Sequence, residues 1–156
     1  MITRFLIAAA AAALAMPAVA AGPLALDTQV LSAQRAAAAD GTTRITLVKP
    51  SRIVPGDAVV FVLRYRNTGS QPLADVVLAN PLPASLAYRG PQQNSPAPEL
   101  SVDGKTYGAL AALRVKTAEG GTRPATADDV TSVRWRLPSP ITAGSTGEFA
   151  FQAVVR

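Results

Sequence analysis

Alternation with a period of two runs through this chain, and it restricts the chain to strands. In Asp57–Asn67 (DAVVFVLRYRN), Val59, Phe61, Leu63 and Tyr65 fall on one face. Val60, Val62, Arg64 and Arg66 fall on the other, which turns cationic toward its end. In Val130–Leu137, Val133, Trp135 and Leu137 alternate with Ser132, Arg134 and Arg136. In Gly147–Arg156, Phe149, Phe151, Ala153 and Val155 alternate with Glu148, Ala150, Gln152 and Val154. Successive side chains on a strand point to opposite faces, so each segment predicts one buried and one solvated face. β-branched and aromatic residues gather in these same segments, as a pleated, half-buried surface favours.

Weaker candidates fill the gaps. Thr43–Lys49, Ala74–Asn80, Ser85–Arg89 and Leu113–Thr117 read as shorter strands, and Leu24–Ser32 places Leu24, Leu26, Thr28 and Val30 at every second position. The alanines of Arg35–Ala39 favour a helical turn instead. Asp40-Gly41, Pro55-Gly56, Asn67-Thr68-Gly69, Asp103-Gly104, Gly120-Gly121 and Ala143-Gly144 separate the strands at intervals typical of a β-sandwich. Pro81 and Pro83 mark a strand end or a sheet edge, because proline has no N–H for the ladder. Gly90–Pro98 (GPQQNSPAP) reads as an exposed loop. The expected class is all-β and antiparallel. Phe61, Tyr65, Trp135, Phe149 and Phe151 should centre the core, with Leu63, Leu78, Leu137 and Val155 around them.

The first residues read as an address. Arg4 supplies a positive start, Phe5–Met16 is apolar, and Ala18-Val19-Ala20 has the small residues a signal peptidase reads. Pro17 breaks the apolar run before it could span a bilayer. The expectation is a cleaved signal peptide over residues 1–21 and one mature domain over 22–156, secreted or held in the periplasm or cell envelope, with no transmembrane segment after cleavage. The formal net charge of +5 falls by one when Arg4 is removed. The remaining cations are scattered and form no basic run interleaved with aromatics, so nucleic acid is not an expected partner.

Composition narrows the chemistry. The chain has no Cys and no His, which removes thiol and imidazole catalysis, the Ser–His–Asp triad and the common soft metal ligands. Gly104-Lys105-Thr106 imitates the end of a phosphate loop, but the upstream glycine position is Glu99, so a hairpin turn is expected there. Asp128-Asp129 is the one adjacent acid pair and reads as a capped turn rather than a metal site. No catalytic, cofactor or metal residue is therefore assigned, and a hydrolase would need two carboxylates converging in a cleft. An intramolecular Lys–Asn bond through Lys49 lacks a partner amide in Phe149–Arg156. Arg64 with Arg66, and Arg134 with Arg136, each place two guanidinium groups on one strand face. If the two strands were neighbours, the four would form a patch for an anionic surface glycan.

The run Val54–Gly69 (VPGDAVVFVLRYRNTG), followed by Ala74–Pro83 (ADVVLANPLP), resembles a bacterial conserved-repeat-domain family of unknown function, the eleventh so numbered. The matching features are Pro55-Gly56-Asp57, Asn67-Thr68-Gly69 and Leu82-Pro83, with Ile141–Gly144 and Phe149–Val155 similar to the family's closing strand. The resemblance covers most of Val54–Arg156, with an insertion-like middle over Gly90–Asp129. It implies an immunoglobulin-like β-sandwich in exported or envelope proteins, often repeated, whereas this sequence holds one copy and no recognisable anchor. It brings no catalytic residues. Beside it, Asp57 is expected to cap the Pro55-Gly56 turn, and Asn67 and Gly69 to adopt left-handed conformations that reverse the chain. The expected role is a structural or binding module at the envelope, partnered by another envelope protein or a glycan. The alternative is a subunit of a surface assembly that pairs by strand addition through Leu24–Ser32 or an exposed edge.

Overall fold

The structure, a computed structural model, describes residues 22–37 and 43–156. The signal peptide read over residues 1–21 lies outside the described residues. Ten strands follow in order: β1 (Leu24–Ala37), β2 (Thr43–Val48), β3 (Ala58–Asn67), β4 (Val77–Pro81), β5 (Leu86–Pro91), β6 (Glu99–Ser101), β7 (Arg114–Lys116), β8 (Thr122–Pro124), β9 (Ser132–Arg136) and β10 (Thr146–Val155). Two short 3₁₀ turns, Leu110–Ala112 and Ala127–Asp129, are the only helical elements among the described residues. The chain is thus all-β, and every strand pairing is antiparallel. No helix among the described residues is long and apolar enough to cross a membrane.

The sheets assemble in the order β2-β1-β3-β10-β5, β4-β9-β6 and the hairpin β7-β8. In the central pair, Phe61 stands opposite Phe151, Leu63 opposite Phe149 and Val59 opposite Ala153. Residues directly opposite one another share a face, so the apolar halves of both strands coincide. Phe61 and Phe151 stack at 4.9 Å with planes 8° apart, and Trp135 of β9 stacks on Phe149 at 5.1 Å. One core cluster joins Val59, Phe61, Leu63, Tyr88 and Phe151 of the larger sheet to Leu100, Val133 and Trp135 of the smaller. Trp135 donates its indole N–H to the Pro96 carbonyl at 2.9 Å, which meets the polar need of a buried tryptophan. Of the expected core, Phe61, Leu63, Leu78, Trp135 and Phe151 are buried, while Tyr65, Leu137, Phe149 and Val155 are half-buried at its margin.

Four expectations are corrected. Arg35–Ala37 does not turn helical: β1 continues through it, because Ser32–Ala37 pairs with Thr43–Val48 and a ladder outweighs the alanine preference. Ala38 and Ala39 lie outside the described residues. The outer face of β3 is not wholly solvated, since Val60 and Val62 are buried beneath Leu31, Leu47 and Ala150 in a second cluster. Gly90–Pro98 is more than an exposed loop. Gly90 and Pro91 end β5, Pro98 is buried, and Ser95 accepts the Ala150 N–H at 2.9 Å. Finally, neither Asn67 nor Gly69 has a positive φ. Asn67 is a buried strand residue, and Gly69 is needed for space: a Cβ there would sit 2.8 Å from Pro23 Cβ.

Candidate functional site

β1 changes partners along its length. Leu24–Ser32 pairs with β3 on one side, and only Ser32–Ala37 meets β2 on the other. Along Leu24–Leu31 the second side has no strand partner among the described residues. A groove of about 530 Å³ runs there, between Asp27–Leu31 and the segment carrying Lys49, Pro50 and Ile53. Pro50 cannot donate to a ladder, so the chain leaves β1 just after β2 ends. It returns through the Pro55-Gly56 turn, where Gly56 takes a φ of +95° and Asp57 accepts the Val54 N–H at 2.8 Å, as expected of the cap. The Gly56 N–H then bonds the Val155 carbonyl at 2.8 Å and fixes this strap to the end of β10.

This edge exposes apolar side chains and has no covering strand among the described residues. Leu26, on the core-facing side opposite Tyr65, is 47% exposed, and Ile53 and Val54 are 44% and 37% exposed. The cause is unequal sheet width: the core draws buried residues from β3, β5 and β10, but only a partly buried Val30 from β1. Leu24–Leu31 contains no Lys, Arg or Pro, the residues that usually blunt an edge. Its one charge, Asp27, accepts a hydrogen bond from the Gln29 amide at 3.0 Å.

The structure does not gather the four arginines singled out from the sequence. β3 and β9 belong to different sheets, and each turns its arginine-bearing face away from the shared core. Arg64 donates to Glu148 at 3.2 Å and to Gln29 at 3.3 Å. Arg66 is exposed opposite Ala25 and Thr146. Arg134 is engaged twice, pairing with Glu99 at 2.6 Å while its guanidinium lies 3.9 Å from the centre of the Tyr107 ring. Arg136 is exposed opposite Val77. The two pairs form separate patches, and the partners that engage Arg134 come from β6 and a loop far away in sequence.

The acids are equally dispersed. Asp129 closes the second 3₁₀ turn by accepting the Thr126 N–H and hydroxyl, both at 2.8 Å, as expected of a capped turn. Arg123 grips the same carboxylate with two nitrogens, at 2.6 and 2.7 Å. The Arg123 guanidinium first, and the Thr126 bonds second, hold this carboxyl well below the usual range. Asp128 instead meets Arg89 at 2.7 Å. Gly104-Lys105-Thr106 forms the expected turn, with Gly104 at a φ of +71° and Leu100 bridging Gly108 behind it. Asp103 accepts the Thr106 N–H at 2.7 Å and the Lys105 N–H at 2.8 Å, and those bonds push its carboxyl far down. Among the described residues, no three Asp or Glu converge, and none of the five grooves described is lined by two carboxylates.

Comparison of the chain with protein-family models, with curated proteins and with solved structures finds no match. The resemblance to the conserved-repeat-domain family therefore rests on its turn and strand residues alone.

Proposed function

We propose that this chain is an exported, non-catalytic binding module of the cell envelope, built as an immunoglobulin-like β-sandwich and related to the conserved-repeat-domain family. In this reading it holds a partner envelope protein by accepting an extended strand along Leu24–Leu31. The open apolar edge of β1 carries the proposal. Its free backbone groups supply affinity, and the groove beside Asp27–Leu31, with Ile53 on its far wall, receives alternate side chains of the added strand. The sandwich reading is supported by two antiparallel sheets that share one aromatic cluster. The non-catalytic reading is supported by a sequence without Cys or His and by carboxylates committed to turns and arginines.

The test is photo-crosslinking in the producing cell, with the reactive residue placed at Thr28 or Ile53, and at Ala79 for comparison. A discrete adduct from the first two positions is expected, weakened by Leu26→Lys and missing at Ala79. Equal adducts at all three positions, or none at Thr28 and Ile53, would overturn strand acceptance. The donor-strand alternative makes a different forecast. Deleting Leu24–Ser32 would leave a donor folded but unable to assemble, whereas the acceptor reading expects unfolding, because Val30 and Leu31 pack against the two apolar clusters.

A further inference from the structure

Lys105, Arg114 and Lys116 line a second groove, of about 460 Å³, together with Val102, Asp103 and Val115. Local structure accounts for the convergence. Arg114 and Lys116 lie two residues apart on β7 and so share a face. The Asp103–Thr106 turn carries Lys105 to the same groove. Arg114 is anchored by one nitrogen, which donates to the Ala111 and Leu113 carbonyls at 2.9 and 3.0 Å.

The charges here are unbalanced. The ion pairs among the described residues hold Arg64, Arg89, Arg123, Arg134 and Arg156, and none of them involves Lys105, Arg114 or Lys116. Asp103 is the one carboxylate lining the groove, and it is turned to its own loop, where it accepts the Lys105 and Thr106 N–H groups and the Ser101 hydroxyl, the last at 3.0 Å. Three cations thus line one groove beside half-buried Val102, and the one carboxylate lining it is already committed.

We infer that this groove binds an acidic oligosaccharide, a ligand with repeated oxyanions on sugar rings. Residues two apart on a strand are spaced by roughly 7 Å, so a ligand with repeated anionic groups can engage Arg114 and Lys116 at once. Val102 offers the apolar face of a ring a contact, which a bare inorganic anion does not use. The site stands apart from the β1 edge and does not depend on the strand-addition reading.

The experiment is titration calorimetry on the mature chain at low ionic strength. The probes are an oligogalacturonate tetramer, a sulfated tetrasaccharide, a neutral tetrasaccharide and inorganic phosphate. Binding of at least one acidic tetrasaccharide is expected, with the carboxylate and sulfate arms identifying the anion. Lys105→Gln/Arg114→Gln/Lys116→Gln should weaken it by about tenfold or more. Arg52→Gln/Arg66→Gln/Arg136→Gln, which removes the same charge elsewhere, should weaken it by about twofold or less. Should the first variant fail to fold, Lys105→Gln/Lys116→Gln keeps the Arg114 anchor and should still lose about fivefold. Equal losses in both variant sets, no binding of either acidic probe, or phosphate binding as tightly as the tetrasaccharide would each overturn the inference.

Discussion

Asn67 ends β3 with its side chain fully buried, and that side chain serves three backbone groups. Its amide nitrogen donates to the carbonyls of Gln71 at 2.7 Å and Ile141 at 2.9 Å, while its oxygen accepts the Gly69 N–H at 2.9 Å. Truncation would leave the Gln71 carbonyl and Gly69 N–H without these bonds in a part-buried site. Asn67→Ala is therefore expected to cost about 3 kcal/mol in urea unfolding. Gly69→Ala should also destabilise, by forcing its new methyl against Pro23 Cβ, and Pro23→Gly, which removes that atom, should relieve part of that loss. The N-T-G signature is legible in the sequence as a chain reversal, but its physical reason is not. A left-handed turn and a buried amide joining β3 to a loop 74 residues later favour the same residue type.

Elements with strong amphipathic contrast were the legible ones. The segments read as Asp57–Asn67, Val130–Leu137 and Gly147–Arg156 contain β3, β9 and all of β10 but Thr146, because each offers several alternations for a period to emerge. β6 and β8 span three residues each, too few for any period, and exist through pairing with β9 and β7. The turns on either side of these short strands are held by carboxylates, which sets a pH dependence. Asp103 and Asp129 both have depressed pKa values in the folded chain. Their stabilisation is complete above the unfolded carboxylate value and is lost as pH falls below about 4 toward the lower folded values. Urea midpoints should therefore hold steady from about pH 7 to 5 and drop below about pH 4. Asp129→Asn should lower the midpoint at neutral pH and flatten that acid limb. Asp129→Ala should cost about 1 kcal/mol at pH 7, the usual worth of such a cap.

Across the whole molecule, one aromatic cluster joins both larger sheets, so they should unfold together. Trp135, the chain's one tryptophan, is 3% exposed at the centre of that cluster and reports on it directly. Its fluorescence red shift and the loss of far-UV β signal are expected to coincide in urea, and separate midpoints would contradict a shared core. Phe151→Ala, at a fully buried residue touching Phe61, Tyr88 and Trp135, should cost about 4 kcal/mol. Neither groove was legible at this scale. The β1 edge depends on one sheet being wider than the other. The cationic groove depends on a turn and a short hairpin strand meeting in space, while the arginines that did stand out in the sequence were separated by the sheets.

The position of β10 between β3 and β5 has a further consequence for how the chain comes together. A polypeptide emerging from its N-terminal end presents β1 to β9 before the strand that must sit between β3 and β5. Contacts such as Arg64 to Glu148, 84 residues apart, can close only once β10 has been made. Until then the aromatic half of β3 lacks its principal neighbour, and the larger sheet closes only through pairings distant in sequence, which slows its folding.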